Sequence, residues 1–154
     1  MVQSLSIMNV ADFAALMKQT LFADLEAKHI AALHSMCECR LATSGECIRQ
    51  VGEMADALAI VATGRVRLVD PTRRETLAHF SAGQAFGLIS LLFPGQGYVE
   101  VYAVEETTLV ILDAGNLRMI EVSNPELAIV VNRTVRSALA PIFANALPVL
   151  AKML

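Results

Sequence analysis

The sequence predicts a mainly β fold: an antiparallel β-roll or jelly roll with N-terminal helices and a long C-terminal helical segment. Three observations support this fold class. Apolar residues recur at helical spacing in residues 1–36, short apolar or β-branched runs alternate with turn residues in residues 37–112, and helical spacing returns in residues 113–154. Many short strands at regular intervals are typical of sandwiches and rolled barrels. A chain of 154 residues is the size of one domain, so we expect these three segments to share one core.

Two short helices are predicted in the first segment. The apolar residues that set their spacing are Phe13, Leu16, Met17, Leu25, Ile30 and Leu33. Asp24 is expected to be the N-cap of the second helix, because its carboxylate can accept a hydrogen bond from a backbone N–H of the first turn.

Period-two alternation identifies strands in the central segment. Residues 98–103 alternate in this way, so the odd-numbered positions are expected to share one face that points inward. Residues 65–68 follow the same pattern. Residues 70–74 are predicted to form a hairpin loop that leads into a strand over residues 75–80.

Capping residues define the helices of the last segment. Asp113 is the predicted N-cap of one helix. A second helix is predicted to begin at Pro125 with Asn124 as its N-cap, because proline is favoured at the first helical position. Pro141 is expected to kink or break this second helix, because proline removes one intrahelical hydrogen bond.

The last helix carries an apolar stripe that is wider than packing on one barrel requires. Its residues follow a spacing of three and four, as in helices that pair with other helices. We expect this stripe to form a homodimer interface or to dock on a protein partner. The predicted interface residues are Val131, Val135, Ala138, Ile142, Phe143, Ala146 and Val149.

Composition restricts the function classes. An apolar content of 55% favours an oligomer, while a net charge of -3 with scattered Lys and Arg argues against nucleic-acid binding by the chain itself. The N-terminus lacks the features of a signal peptide, and the longest uncharged run is shorter than the roughly 20 residues of a membrane span. We therefore expect a cytoplasmic protein without a membrane span, and no DNA-reading domain after Leu154.

Several short motifs occur in an order that is shared with a known family. They are Leu21–Leu25, Gly45–Ile48 with Gly52–Glu53, Leu58–Val66, Leu77–Phe80, Gly83–Gly87 and Thr108–Leu112. In their order and spacing the sequence, from about Leu21 to about Val130, resembles the cyclic nucleotide-binding domain family of catabolite activator and Fnr-type regulators. The resemblance implies a cyclic-nucleotide-binding-like, cupin-like β-roll and a non-catalytic regulatory or signalling role that needs no cofactor.

The ligand loop that the resemblance implies departs from the family pattern at two positions. Family members that bind cyclic nucleotides resemble F-G-E-[IL]-A-L followed by R-x-A-x-V, in which the Glu accepts a hydrogen bond from a ribose hydroxyl and the Arg pairs with the phosphate. Leu88 stands at the Glu position and Gly97 at the Arg position. The implied, vestigial loop comprises Phe86, Gly87, Leu88, Ile89, Ser90, Gly97, Tyr98 and Val99.

The loss of both contacts is expected to abolish high-affinity binding of cAMP or cGMP. Leaving one member of a buried charge pair unpaired costs about 3 to 5 kcal/mol, and an unpaired hydroxyl adds roughly 1 to 3 kcal/mol. Together these costs lower the affinity by about three to six decades. Side chains that could supply a replacement contact are Arg65, Arg67, Arg73, Arg74, Arg118, Arg133 and Thr134.

The sequence thus favours a regulatory domain that dimerises or docks on a partner and has lost family-type ligand binding. Two alternatives remain open. One is a sensor of a more apolar small molecule, which Leu88, Ile89 and Gly97 would favour. The other is a weak cyclic nucleotide binder.

No arrangement of residues indicates an enzyme. A cupin-type metal enzyme would need several His and a carboxylate on adjacent strands, whereas His79 is the one histidine on a predicted strand. Cys37, Cys39 and Cys47 leave a thiolate metal site open as an alternative, but their spacing is not typical of metal ligands. Free buried thiols are the simpler interpretation.

Overall fold

The computed structural model describes the backbone of residues 2–4 and 8–153 and the side chains of residues 8–145. The helices are α1 (Val10–Met17), α2 (Ala27–His34), α3 (Leu88–Leu92), α4 (Ala114–Ser123) and α5 (Pro125–Met153). The strands are β1 (Val2–Ser4), β2 (Glu38–Ala42), β3 (Cys47–Arg49), β4 (Met54–Ala55), β5 (Ala57–Thr63), β6 (Arg65–Val69), β7 (Thr76–Ser81), β8 (Ala85–Phe86), β9 (Gly95–Gln96), β10 (Glu100–Ala103) and β11 (Thr107–Asp113).

Antiparallel sheets with flanking helices form the body of the fold, so the predicted fold class is confirmed. One sheet has the strand order β1-β2-β11-β5-β8, a second has the order β3-β10-β6-β7, and β4 pairs with β9. One apolar cluster includes Val61, Val66 and Leu109 from the two larger sheets, and a larger cluster joins the helices to the first sheet. β1 falls in residues 1–36, where the sequence predicted helices alone, and it pairs with β2.

Local patterns identified the strands correctly. β10 begins at Glu100, two residues later than the predicted start at residue 98. Within β10, Val101 and Ala103 are buried, whereas the residues that alternate with them are partly exposed, as the period of two predicted. β6 and β7 form the predicted hairpin. In its loop, Asp70 Oδ1 accepts a hydrogen bond from the Thr72 N–H at 2.8 Å. β7 begins one residue later than predicted.

Two of the three predicted helix caps are confirmed. Asp113 Oδ1 accepts a hydrogen bond from the backbone N–H three residues later at 2.7 Å, at the start of α4. Asn124 Oδ1 accepts a hydrogen bond from the Leu127 backbone N–H at 3.2 Å, at the start of α5. The prediction of Asp24 as the cap of α2 is wrong. A turn that closes with the Leu25 N–H donating to the Phe22 carbonyl delays the helix, so that Glu26 takes the cap position.

α5 is one continuous helix through Pro141, so the predicted break does not occur. Val131 and Val135 cannot form an interface with a second chain in this conformation, because both are 0% exposed and pack in the protein's own core. This part of the interface prediction is wrong. A helical period identifies an apolar face, but it does not reveal which surface covers that face.

The remaining predicted interface residues lie near or beyond the point where α5 leaves the core. Ala138 is partly buried and Leu139 is buried, whereas Ile142 and Phe143 are 49% and 48% exposed. Every side chain in residues 140–145 is exposed. The side chains of Ala146 and Val149 lie outside the described residues. Residues 140–145 of α5 are called the projecting part below.

By length and composition alone, Pro125–Asn145 within α5 would qualify as a membrane span, with a mean hydropathy of 1.3. This is weak evidence, because a helix that packs in the core of a globular protein passes the same test. The buried residues Val131 and Val135 show that part of this stretch packs on its own chain.

Candidate functional site

The chain turns sharply at Gly87, between β8 and α3. The φ angle of Gly87 is +82°. A Cβ at this position would collide with the carbonyl oxygen of Ala57 at the start of β5. Both the positive φ and the close approach require glycine. The packing of the loop on β5 therefore accounts for Gly87 without any reference to a ligand.

Gly97 fixes the other end of the loop to the turn after β3. Its N–H donates to the Glu53 carbonyl oxygen at 2.9 Å, and its own carbonyl oxygen accepts a hydrogen bond from the Gly52 N–H at 3.0 Å. Gly97 itself is buried. Because of these two hydrogen bonds, the last residue of β3 is held against the ligand loop.

That last residue is Arg49, whose side chain lies beside Gly97. A Cβ on Gly97 would lie 3.2 Å from Arg49 Nε and 3.5 Å from Arg49 Cζ. A guanidinium from β3 is thus placed next to the position that carries the arginine in the family pattern. The sequence alone indicated a pocket without a cation, and the structure places one there.

Arg49 is partly buried, and its side chain has no hydrogen-bond or ion-pair partner among the described residues. Its Nε is buried and has no hydrogen-bond partner, and Arg49 forms no ion pair within the described residues. Burial lowers the pKa of the Arg49 guanidinium, while the negative charges of Glu53 and Asp56 act in the opposite direction. The ordinary pKa of arginine is so high that the group remains protonated.

A pocket of about 290 Å³ lies between the ligand loop and α5, close to the lower limit for small-molecule sites. It is lined by Arg49, Leu68, Phe80, Ala85, Phe86, Gly87, Leu88, Ile89, Ser90, Val99, Leu139 and Ile142. Arg49 is the one ionisable side chain among these lining residues, and most of the others are apolar. Leu88 also packs against the larger core cluster. Because the leucine side chain has no polar atom, the position of the family's Glu offers no hydrogen-bond acceptor.

The structure brings the predicted loop residues together. Six of them line the pocket: Phe86, Gly87, Leu88, Ile89, Ser90 and Val99. Gly97 and Tyr98 line an adjoining groove that also contains Arg49. Sequence reasoning considered Arg133 and Thr134 as the contacts from the last helix. Instead, Leu139 and Ile142 are the α5 residues that line the pocket.

The arginines that the sequence suggested as replacements lie elsewhere. Arg74 Nη1 lies 3.0 Å from Glu100 Oε1, and the Arg67 guanidinium lies 4.9 Å from the centre of the Tyr102 ring. Arg133 lines grooves on other sides of α5. The pocket lining does not include Arg65, Arg67, Arg73, Arg74, Arg118, Arg133 or Thr134.

Sequence reasoning missed Arg49 because its contact with Gly97 depends on the pairing of two distant segments. The available signal was its position. Arg49 directly follows the motif residue Ile48 and precedes the motif residue Gly52 by three positions, and the structure places it at the end of β3.

The cysteines do not meet at one place. Burial raises the pKa of the Cys37 thiol to about 12, and Cys39 is also buried in the larger core cluster. Cys47 lies in the other sheet, where its Sγ donates to the Arg49 carbonyl oxygen at 3.4 Å. In the part of the chain that the structure describes, no three His, Cys, Asp or Glu side chains are placed to hold a metal ion. His79 is exposed on β7.

Comparison with protein families identifies the domain. Residues 40–122, more than half of the chain, match the cyclic nucleotide-binding domain. The chain belongs to the cyclic nucleotide-binding domain family. The resemblance predicted from the motifs is therefore confirmed.

Relatives of this cyclic nucleotide-binding domain are longer proteins. Over 95 residues it is 35% identical to the cyclic AMP receptor protein of Thermus thermophilus, covering 60% of this chain and 44% of the relative. Over 127 residues it is 28% identical to a candidate potassium channel protein of Rhodopseudomonas palustris, covering 82% of this chain and 31% of the relative. The chain thus spans less than half the length of either relative.

A solved structure shows the same fold. The crystal structure of a cyclic nucleotide-binding domain from Methylobacillus flagellatus superposes with a TM-score of 0.75. The superposition covers 94% of this chain and 84% of the other, at 21% identity.

Proposed function

We propose that this cyclic nucleotide-binding domain is a non-catalytic regulatory domain that dimerises through α5 and has lost high-affinity binding of cAMP and cGMP. The proposal includes a cytoplasmic location, no membrane span and no nucleic-acid binding by the chain itself. One observation carries it: α5 lines the altered pocket with Leu139 and Ile142 and then leaves the core with apolar residues exposed.

The projecting part of α5 supports dimerisation. Ile142 and Phe143 are apolar and about half exposed, although the helix continues to Met153. Apolar side chains that are exposed on a helix favour association with another chain, because association removes their apolar surface from water. A second copy of the same helix fits, because apolar residues at spacings of three and four pack against an identical helix. Two-fold dimers are also the commonest assemblies.

The residues of the pocket support the proposed loss of high-affinity cyclic nucleotide binding. Leu88 cannot accept a hydrogen bond from a ribose hydroxyl, which costs about 1 to 3 kcal/mol of binding free energy, or about one to two decades of affinity. Gly97 cannot pair with a phosphate. Arg49 lies nearby, so the charge penalty is smaller than the sequence alone indicates.

Sedimentation velocity tests the dimer. We expect the wild-type chain to sediment as a dimer and Phe143→Asp to shift it to monomer, because a charge would be buried in the interface. Ser137→Asp is the matched control, since Ser137 is an exposed polar residue of α5 before the projecting part. A monomeric wild type, or a dimer that Phe143→Asp leaves intact, would contradict the proposal. Circular dichroism establishes that each variant is folded.

A sensor of a small molecule is the second candidate function, and the chemistry of the pocket favours it. Its walls are mainly apolar and hold one unpaired cation, Arg49. Such a pocket fits a ligand with a large apolar part. Native mass spectrometry of freshly purified protein tests this function. A bound organic mass supports the sensor, and protein that retains no organic mass from a cell extract argues against it.

A further inference from the structure

Arg49 differs from the other side chains that bury a polar atom without a hydrogen bond. Three described side-chain atoms are of this kind: His29 Nε2, Arg40 Nε and Arg49 Nε. His29 Nε2 lies 3.3 Å from Glu126 Oε1. The Arg40 guanidinium donates through Nη1 to the Ile48 carbonyl oxygen at 2.8 Å. Of the three groups, only that of Arg49 lacks both an ion pair and a side-chain hydrogen bond.

The surroundings of Arg49 penalise its unpaired Nε. Arg49 is partly buried, and a buried polar atom without a hydrogen-bond partner is destabilising. Glu53 and Asp56 are the carboxylates whose charges act on Arg49, yet neither forms an ion pair with it. The apolar side chains of Ile89 and Val99 line the same pocket. Pairing with an anion there would be stronger than in open water, because the apolar walls lower the local dielectric.

We infer that Arg49 is the anion-pairing residue of this pocket and that the ligand is an organic molecule with one negatively charged group and an apolar body. This inference rests on the sensor function proposed above and names its ligand class. The charged group would meet Arg49 beside Gly97, and the apolar body would lie against Leu88, Ile89 and α5. Leu88 offers no hydrogen-bond acceptor to a sugar hydroxyl, so the ligand does not need a ribose.

Two fluorescent probes of nearly the same shape test this inference. Anilinonaphthalene sulfonate has an apolar ring system and one sulfonate, and N-phenylnaphthylamine has the same ring system without the charge. In fluorescence titrations of the full chain, Arg49→Leu is expected to lower the affinity for the sulfonate probe about ten- to hundredfold, because a charge-assisted hydrogen bond is lost. The affinity for the neutral probe should change less than about twofold, because its apolar contacts remain.

Control variants exclude indirect effects. Arg49→Lys retains the charge and should keep most of the affinity for the sulfonate probe, and Arg73→Leu removes an exposed arginine outside the pocket. The double variant Arg49→Ala/Gly97→Arg moves the cation across the shared space and should restore sulfonate binding. If Arg49→Leu does not fold, Arg49→Gln provides the same comparison. Unchanged affinity for the sulfonate probe, or equal losses for both probes, overturns the inference.

The outcome is independent of the dimer. Arg49 lies outside α5, so Arg49→Leu should sediment like the wild type. If the dimer proposal is wrong, the sedimentation of the wild type or of Phe143→Asp will show it. If the anion-site inference is wrong, the ratio of the affinities for the two probes will show it.

Discussion

The Arg49 side chain occupies the space that a side chain at position 97 would need, because a Cβ on Gly97 would lie 3.2 Å from Arg49 Nε. The two residues come from β3 and from the segment between β9 and β10. The Gly97 N–H donates to the Glu53 carbonyl oxygen and the Gly52 N–H donates to the Gly97 carbonyl oxygen, and these two hydrogen bonds hold the segments together. A long side chain at position 49 and none at position 97 are therefore complementary, and large residues at both positions do not fit.

Gly97→Arg is expected to destabilise the wild-type protein by about 1 to 3 kcal/mol, because it forces overpacking against Arg49 and places two like charges side by side. In the Arg49→Ala background the same substitution should cost less, because the contact between the added Cβ and the Glu53 carbonyl oxygen at 3.2 Å remains but the contact with Arg49 is removed. Urea unfolding of the four proteins in this double-mutant cycle measures the coupling. Additive effects would show that the two side chains do not compete for the space.

Leu88→Glu is expected to raise the affinity for cAMP about five- to hundredfold, because it supplies an acceptor for the ribose hydroxyl. Isothermal titration calorimetry measures the affinity. The analogue that lacks this hydroxyl is the control, and its affinity should not increase. A wild-type complex with cAMP of micromolar or tighter affinity would falsify the loss of family-type binding.

Gly87→Ala is expected to lower the free energy of unfolding more than Gly45→Ala, which is its matched control. Both glycines have a φ of +82°, but a Cβ on Gly45 meets nothing within 4 Å, whereas one on Gly87 meets Ala57. The left-handed conformation alone costs about 1 to 2 kcal/mol. The collision adds about 1 to 3 kcal/mol at Gly87. Urea unfolding compares the two variants, and equal losses would show that the contact with Ala57 relaxes freely.

The Cys37 thiol is expected to make the protein less stable at alkaline pH. Burial raises its pKa from 9.0 to about 12, with a smaller contribution from the charge of Asp113. Because the pKa is higher in the folded state, the thiol's contribution to stability is complete below pH 9.0 and is lost as the pH rises towards about 12. In this window, the thiol alone lowers the free energy of unfolding by about 1.4 kcal/mol per pH unit.

Urea unfolding between about pH 8 and about pH 11 measures this slope. Cys37→Ala is the control, because it removes the thiol and leaves the other titrating groups in place. The difference in slope between wild type and variant belongs to Cys37. Identical slopes would show that the thiol ionises as readily in the folded protein as in the unfolded chain.

The sequence predicted those features that depend on neighbouring residues. The alternation in β10 and the caps at Asp113 and Asn124 are local, since each involves residues within three positions of one another. Asp24 failed as a cap although its residue type was suitable. A turn ending at Leu25 delays the start of α2, and residue preference alone does not register such a turn.

The candidate site was predictable only in its contiguous part. The loop around Gly87 could be recognised from its motif, whereas the contributions of Arg49 and Leu139 depend on how distant elements pack. Val131 and Val135 illustrate the same limit of sequence-based prediction. Their spacing identified an apolar face, and only the packing of α5 on the chain's own core determined what covers it.

The continuity of α5 past Pro141 gives the molecule a lever arm. With a rise of 1.5 Å per residue, the stretch from Leu139 to Met153 is about 21 Å long. A tilt of about 10° with Leu139 as the fulcrum would carry the far end sideways by about 4 Å. A shift of one side chain near the fulcrum would thus be magnified at the tip into a movement as wide as a methyl group.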